Sequence, residues 1–331
     1  MEKIYLTNLK KPLFGIEKQV KETIDKYNLI KRGEKVIVAL SGGKDSTSLL
    51  YILKKLGYNV SGLMIDLNLG NWSEIHKKNM TFFCRELGIK LNIVDLKKEF
   101  GHGICFIKRV VKEKKNLSGC TVCGVIKRWI LNKEAKKLKA DKIATGHNLD
   151  DECQTVLMNF LKGNIYLGMN SSPATGIEFR KSDKREKDSF NFNLSPPPKN
   201  DFINNKQINY NINSAKHKTA ESKGNRKFSQ RIKPFFFTAE NKIREYAKKM
   251  QFPILYDRCP CAIGTYRVET RAWLSNINDK NKLNIVNQFQ KIIPKLREKR
   301  GLGVANKCKI CGEPARKETC NACEMFVCLG R

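Results

Sequence analysis

The feature that most restricts the fold of this chain is a short apolar run that ends in a glycine loop. Residues 35–40 read KVIVAL, and the loop SGGKDS follows directly at 41–46. A continuous β-branched run of this length is typical of a strand buried in a parallel sheet. Because the residues from Thr47 to Leu56 have a helical pattern, the loop is predicted to join the carboxyl end of a buried strand to a helix.

This loop has the residues that phosphate binding requires. Gly42 and Gly43 allow the backbone to approach a phosphate closely, and the helix N-terminus supplies positive electrostatic potential. Lys44 adds a formal charge, while Ser41 and Ser46 add hydroxyl groups. The loop matches neither the Walker pattern GxxxxGK[ST] nor the dinucleotide pattern GxGxxG. A turn without a ligand is the alternative.

Strands and helices alternate along the chain around this loop. Strands are predicted at 35–40, 59–66, 91–95 and 142–145, and helices at 14–27, 47–56, 75–87, 127–138 and 150–161. Such alternation predicts an α/β fold with a doubly wound parallel sheet. Helices at 238–250 and onward through Glu298 predict a helical C-terminal extension.

Composition divides the chain into five segments. The stretch 179–231 holds a lysine-rich run, three consecutive prolines and many Asn and Ser residues, and its low apolar content predicts disorder. The segments are a basic lead-in (1–34), the α/β domain (35–178), the low-complexity basic insert (179–231), a helical region that completes the domain (232–303) and a cysteine-rich module (304–331).

The C-terminal module carries the pattern CxxC-x8-CxxC, formed by Cys308, Cys311, Cys320 and Cys323. Four thiolates paired in this way complete a tetrahedral structural zinc site, and Gly312 allows a tight turn after the second of them. Because so short a segment cannot bury a core, we expect Zn²⁺ to supply its folding free energy.

A second CxxC pair, Cys120 and Cys123, stands far from a third cysteine, Cys259. Three thiolates that leave one coordination position open suit an iron–sulfur cluster with one reactive iron. From the spacing alone, a redox dithiol or buried thiols are the alternatives. Cys84, Cys105 and Cys153 are expected to be packing residues, and His76 is expected to have no ligand role.

The charge of the chain favours a nucleic-acid partner. The chain has 64 Lys and Arg against 32 Asp and Glu, a formal net charge of +32, and phosphate-rich polymers are natural partners of such a field. Genomic drift toward lysine is the alternative, since the lysines are scattered. The sequence has neither a signal-peptide pattern at its start nor an apolar run near ~18 residues, so we expect a cytoplasmic protein with no membrane contact and with reduced cysteines.

Several motifs together resemble one family. They are SGGKDS at 41–46, CxxCGxxKR at 120–128, TGHNxDD at 145–151, RxKPF at 231–235 and CPxA at 259–262. This set resembles the tRNA 2-thiouridine synthases of the PP-loop superfamily (N-type ATP pyrophosphatases), which include archaeal and eukaryotic cytosolic tRNA thiolation enzymes and thiouridine-54 sulfurtransferase. The resemblance covers roughly residues 30–170 and 228–331.

The resemblance implies the fold of adenine nucleotide alpha-hydrolases and an ATP- and Mg²⁺-dependent enzyme. Such an enzyme adenylates the C2 oxygen of a tRNA uridine, and sulfur then replaces that oxygen. It implies a [4Fe–4S] cluster on Cys120, Cys123 and Cys259. The implied catalytic residues are Asp45, Lys127 and Asp151. The implied ATP-binding residues are Ala39, Ser41, Gly42, Gly43, Lys44, Asp45, Ser46, Asp66, Gly146, His147 and Asp150.

The resemblance also implies tRNA as a partner, a ubiquitin-like thiocarboxylate protein or sulfide as the sulfur donor, and a homodimer. It does not decide between uridine 34 and uridine 54. The chain departs from the family pattern in two places. Residues 1–35 have no Cys or His for the family's N-terminal zinc module, and Cys261 creates an unusual CPC sequence. A structural N-cap is the alternative role for Asp150.

Three other functions fit parts of the pattern. Thiocytidine synthesis shares the cluster, whereas lysidine-type modification shares only the PP-loop. A non-catalytic, basic RNA-binding protein is the third.

Overall fold

The computed structural model describes residues 3–175, 229–257, 259–260, 266–300, 306–315 and 317–330. The strands are β1 (Lys35–Leu40), β2 (Asn59–Asp66), β3 (Leu91–Asp95), β4 (Lys142–Ala144), β5 (Ala174–Thr175), β6 (Gln230–Ile232), β7 (Asn306–Lys307) and β8 (Pro314–Ala315). The helices are α1 (Ile4–Thr7), α2 (Ile16–Lys26), α3 (Lys44–Lys55), α4 (Asn71–Glu86), α5 (Leu96–Phe100), α6 (Ile104–Lys115), α7 (Gly119–Lys137), α8 (Leu149–Leu161), α9 (Glu240–Lys249), α10 (Tyr266–Ser275), α11 (Asp279–Arg300) and α12 (Asn321–Val327).

The central sheet has six strands in the order β3-β2-β1-β4-β6-β5. All neighbouring strands are parallel except β5, which pairs antiparallel with β6 at the edge. The chain thus winds outward from β1 in both directions, which confirms the predicted doubly wound sheet. The sequence did not predict the antiparallel edge strand, which is two residues long.

Helices cover both faces of this sheet, and alternate residues of β1 pack into the apolar cores on opposite faces. Val36 and Val38 pack with α2, α3, α4 and α9, whereas Ile37 packs with α5, α6, α7 and the C-terminal module. The side chains of Val36, Ile37 and Val38 are completely buried. A third apolar cluster joins α8 to α10 and α11 beside the sheet. In the described part of the chain, no helix has both the length and the apolar character to cross a membrane.

Several predicted boundaries and environments differ from the structure. The Cys120–Cys123 pair lies inside the first turns of α7, not in front of a helix. Cys84 and Cys153 are buried as expected, but Cys105 is exposed, so the prediction that it packs in the core was wrong. β6 begins within the predicted insert; the insert up to residue 228 and Cys261 lie outside the described residues.

The segment predicted as a lead-in contributes a buried ion pair to the core. Glu17 on α2 and Lys55 on α3 lie 2.8 Å apart, and their side chains are 0% and 1% exposed. The hydroxyl of Tyr246 donates to Glu17 Oε1 at 2.7 Å, and the Phe14 N–H donates to Glu17 Oε2 at 3.1 Å. Glu17 therefore connects α2, α3 and α9 beneath the sheet.

We expect Glu17→Ala to lower the free energy of unfolding by about 3–5 kcal/mol, because it leaves the Lys55 ammonium buried without a counter-charge. Urea denaturation measures the change. Asp25→Ala on the same helix is the matched control. Its partner Lys21 is 52% exposed, so no measurable change is expected. Equal denaturation midpoints for the two variants would show that the buried pair does not stabilise the fold.

Candidate nucleotide and metal sites

The glycine loop is held in shape by its own hydroxyl groups. The Ser41 N–H donates to Ser46 Oγ at 3.1 Å, and Ser46 Oγ donates to the Gly43 carbonyl at 3.2 Å. Gly42 has φ of +81°, a conformation that side-chain-bearing residues rarely adopt. Since α3 begins at Lys44, the unpaired N–H groups of its first turn face the loop. This arrangement fits an anion such as a phosphate group.

A buried histidine supports the loop from below. A Cβ atom placed on Gly42 would lie 2.2 Å from His76 Nδ1, so only glycine fits at this position. His76 is 1% exposed, and neither of its ring nitrogens has a hydrogen-bond partner among the described residues. Burial lowers the pKa of His76, which keeps the ring neutral at pH 7. The sequence analysis expected only that His76 has no ligand role. It did not predict this contact with Gly42, because the contact joins α4 to the glycine loop.

The turn after β4 packs directly against the glycine loop. A Cβ atom on Gly146 would lie 3.0 Å from the backbone of both Asp45 and Ser46. Asn148 caps α8 by accepting from the Asp151 N–H at 3.1 Å, and its Nδ2 donates to Asp45 Oδ1 at 3.2 Å. The TGHN turn and the loop are therefore one continuous surface.

The acidic residues that follow this turn have different partners. Asp151 completes the capping box of α8, and its Oδ1 lies 3.4 Å from Arg267. Asp150 is not the N-cap of α8; it accepts from the Glu240 N–H and from Lys282 Nζ, both at 2.7 Å. Asp150 thus joins α8 to α9 and α11, and the alternative that it caps its own helix was wrong.

Lys44 lies between two carboxylates. Its Nζ is 2.9 Å from Asp45 Oδ2 and 2.7 Å from Glu240 Oε1, and Arg271 hydrogen-bonds the other Glu240 oxygen. Burial opposes ionisation of Glu240, but the hydrogen bonds from Lys44 and Arg271 lower its pKa to about 2. The sequence motifs gave no signal for Glu240 or Arg271, because their proximity to the loop depends on helices far along the chain.

Asp45 is the least compensated carboxylate at the loop. Burial raises its pKa, Lys44 opposes this rise, and the nearby charges of Asp151 and Glu240 add to it. A divalent cation would relieve this repulsion, and carboxylate oxygens are ligands that Mg²⁺ accepts. Asp45 and Asp151 therefore fit a magnesium site by chemistry and charge.

The remaining predicted ATP-binding residues lie at strand ends beside the loop. Ala39 is the penultimate residue of β1, and it pairs with Leu63 on β2. Asp66, the last residue of β2, is 2% exposed and accepts from the Asn68 N–H and from Lys77 Nζ, both at 2.9 Å. His147 Nδ1 lies 3.0 Å from Thr145 Oγ1 within the turn.

The first turns of α7 present two cysteines and a lysine on one face. Cys120, Cys123 and Lys127 are three and four residues apart, a spacing that places them side by side on a helix. Cys120 is exposed, Cys123 is half-buried, and Lys127 makes no ion pair or hydrogen bond with any described residue. A Cβ atom on Gly124 would lie 3.2 Å from Arg128 Nη1, so this glycine leaves room for the guanidinium.

Cys259 is half-buried. The sulfur atoms of Cys120, Cys123 and Cys259 do not all lie within 4.8 Å of one another, which is the spacing that a single metal ion would need. Three thiolates match the donors of an iron–sulfur cluster, in which each cysteine binds a different iron. The donor chemistry of these three residues therefore suits an iron–sulfur cluster.

The four C-terminal cysteines do converge. The sulfur atoms of Cys308, Cys311, Cys320 and Cys323 all lie within 4.8 Å of one another, and no other such set of Cys, His or acidic residues occurs in the described ranges. Gly312, at φ of +69°, turns the chain after the second cysteine. Burial and the neighbouring thiols raise the pKa of Cys323, a repulsion that a bound cation would relieve. The donor set fits tetrahedral Zn²⁺.

This module packs on α7. Phe326 stacks on Phe100 with ring centroids 4.9 Å apart, and Trp129 Nε1 donates to Cys311 Sγ at 3.4 Å. Lys136 Nζ lies 2.5 Å from Glu313 Oε1. The cysteine-rich module therefore supports the helix that carries Cys120 and Cys123.

A mostly parallel sheet whose first strand ends in the loop SGGKDS is typical of PP-loop proteins. The chain belongs to the PP-loop domain family, whose match covers residues 13–186, more than half of its length. This result confirms the family predicted from the motifs.

Known relatives extend over nearly the whole chain. It is 29% identical over 317 residues to tRNA-5-methyluridine(54) 2-sulfurtransferase of Pyrococcus horikoshii, a match that covers 94% of this chain and 84% of that protein. It is also 29% identical to cytoplasmic tRNA 2-thiolation protein 1 of Malassezia globosa, covering 95% of this chain and 79% of that protein. Both are named as tRNA-thiolating proteins.

A solved structure confirms the fold. The U34-tRNA thiolase NcsA from Methanococcus maripaludis, with its [4Fe-4S] cluster, superposes with a TM-score of 0.67 over 96% of this chain and 88% of that one. At 23% sequence identity this similarity establishes a common fold.

We expect the purified protein to hold about one zinc per chain in the C-terminal module, and Cys320→Ser to lose it because three thiolates no longer close the site. Elemental analysis of the protein measures the zinc. Cys328→Ser is the matched control, because Cys328 lies in the same module but outside the converging set and should leave the zinc content unchanged. Zinc retained in full by Cys320→Ser would contradict this assignment.

Proposed function

We propose that this protein is an ATP-dependent tRNA 2-thiolation enzyme that converts a uridine to 2-thiouridine. The observation that carries the proposal is the continuous surface formed by the PP-loop and the TGHN turn, with Lys44, Asp45 and Asp151 around it. The names of the relatives support tRNA as the substrate. The net charge of +32 suits a polyanionic partner.

ATP supplies a leaving group in this reaction. The C2 oxygen of the uridine attacks the α-phosphorus, the bond to the bridging oxygen breaks, and pyrophosphate leaves. The adenylated oxygen then departs with AMP when sulfur attacks C2, so that one oxygen is exchanged for one sulfur. Without adenylation that oxygen is a poor leaving group.

The loop and its neighbours have separate roles in this scheme. Lys44 and the first N–H groups of α3 bind the phosphates, and Asp45 and Asp151 would hold a Mg²⁺ ion, which would neutralise phosphate charge. Lys127 is half-buried on α7, and its side chain has no ion-pair or hydrogen-bond partner among the described residues, which suits a cation that stabilises charge on the activated oxygen.

The cysteines supply the sulfur chemistry. We propose that Cys120, Cys123 and Cys259 hold a [4Fe–4S] cluster, whose iron without a cysteine ligand provides a binding position for sulfur. The position of Lys127 on the same helical face as Cys120 and Cys123 supports this role. A ubiquitin-like thiocarboxylate or sulfide as donor, and a homodimer as the active form, remain predictions.

We expect Lys44→Ala to reduce the tRNA-dependent formation of AMP and pyrophosphate by more than about 100-fold, because it removes a cation from the leaving phosphates. Chromatography of labelled ATP measures both products with tRNA and sulfide present. Lys54→Ala is the matched control, since Lys54 lies in the last turn of the same helix. Full product formation by Lys44→Ala, or ADP in place of AMP from the wild type, would refute the ATP chemistry.

We expect anaerobically purified protein to contain about four irons per chain, and Cys123→Ala to lose iron but keep zinc, because the two cysteine sets are separate. Iron, sulfide and zinc are quantified together. Cys105→Ala, which removes an exposed cysteine on α6, is the control and should keep both metals. If iron stays absent after reconstitution while zinc is present, the cluster proposal fails.

A further inference from the structure

Two arginines on α10 contact acidic residues of α8 and α9 beside the phosphate loop. Arg267 Nη2 lies 3.4 Å from Asp151 Oδ1, and Arg271 hydrogen-bonds Glu240 Oε2. Their spacing of four residues places both on one side of the helix. The negative charges of Glu240, Asp151 and Asp45 all raise the pKa of Arg271, against the effect of its burial. Arg271 thus lies within the electrostatic reach of the whole acidic group.

Arg271 and the loop lysine share a single carboxylate. Lys44 Nζ lies 2.7 Å from Glu240 Oε1, while Arg271 bonds the second oxygen of the same group. Two cations held on the two oxygens of one carboxylate are close enough for a polyphosphate chain to contact both. Glu240 therefore lies as an anion between the two cations.

The two cations differ in their freedom to move. The side chain of Lys44 is 11% exposed, whereas that of Arg271 is 48% exposed. Arg271 can rotate away from Glu240 toward an incoming ligand without leaving a buried charge unpaired. Glu240 still has its ion pair with Lys44, and Arg244 Nη2 lies 3.7 Å from Glu240 Oε1.

We propose that Arg271 is a phosphate-binding residue for the pyrophosphate portion of ATP, and that Glu240 positions it beside Lys44. The proposal rests on the proposed function, because it takes ATP as the ligand of the loop. A guanidinium binds a phosphate through two parallel hydrogen bonds, whereas an ammonium acts as a point charge. Arg271 and Lys44 then neutralise the charge that develops on the leaving pyrophosphate.

Equilibrium binding of ATP, pyrophosphate and AMP to the metal-loaded, full-length protein with Mg²⁺ tests this assignment. For Arg271→Ala we expect the Kd of ATP and of pyrophosphate to rise about tenfold to a hundredfold, the loss of one charge-assisted contact. The Kd of AMP should not change, because AMP lacks the phosphates that Arg271 contacts. Arg271→Lys should give a smaller rise for the same two ligands.

Arg244→Ala is the matched control. It removes, with the same change in net charge, an arginine that lies 3.7 Å from Glu240 Oε1, one turn along α9, whereas Arg271 hydrogen-bonds Glu240 Oε2 from α10. It should leave all three dissociation constants unchanged. Thermal melting shows whether Arg271→Ala folds. If it does not, Arg271→Lys is compared with Arg244→Ala instead, and a rise in the Kd of ATP and pyrophosphate but not of AMP supports the inference.

Two results would overturn the inference while the proposed function stands. An equal loss of affinity for ATP, pyrophosphate and AMP would give Arg271 a structural role through Glu240. Unchanged affinities in Arg271→Ala, with pyrophosphate binding lost in Lys44→Ala, would show that the loop holds ATP without this arginine. A wild-type protein that binds none of the three ligands would instead contradict the proposed function, and the inference with it.

Discussion

The register between β1 and β4 is the constraint on which the candidate site depends. Val38 pairs with Ala144, so the glycine loop and the TGHN turn leave the sheet side by side. Gly146 favours this proximity, since a Cβ atom there would lie 3.0 Å from the loop backbone and would require the loop to shift. Ligands of open parallel sheets bind at the carboxyl ends of adjacent strands for this geometric reason.

Charge compensation is the second requirement of this surface. Lys44 is 11% exposed and would be costly to hold there without a counter-charge. Asp45 and Glu240 supply that charge, and Arg271 in turn balances Glu240. Any anion that binds the loop therefore competes with carboxylates of the protein. Binding of a highly charged ligand with Mg²⁺ is favoured over binding of a single small anion.

Local patterns in the sequence predicted the first two strands of the sheet and the convergence of the C-terminal cysteines. The run 35–40 and the run 59–66 form β1 and β2 with the predicted bounds, because continuous apolar character and glycine punctuation are properties of adjacent residues. The spacing of Cys308, Cys311, Cys320 and Cys323 likewise predicted a converging set, since the ligand pattern is contained in one short segment.

The contacts between distant elements were not predictable in this way. The fit of His76 under Gly42 and the pairing of Glu240 with Lys44 depend on how α4 and α9 pack against the sheet. The start of α7 before Cys120 was missed because Gly119 and two cysteines weaken the helical pattern. Its N-cap, Ser118, is the local signal that identifies it, because the side chain accepts from the Thr121 N–H.

The two cysteine sets differ in a way that fits two separate tasks. Three of the four converging cysteines in the C-terminal module are buried, so a metal bound there would be enclosed and would have no open position for a substrate. Cys120 is exposed and Cys123 and Cys259 are half-buried, as the proposed cluster site would require. The C-terminal module contacts α7, the helix that carries Cys120 and Cys123, through the hydrogen bond from Trp129 Nε1 to Cys311 Sγ. Order in the C-terminal module would therefore support the helix that presents these two cysteines.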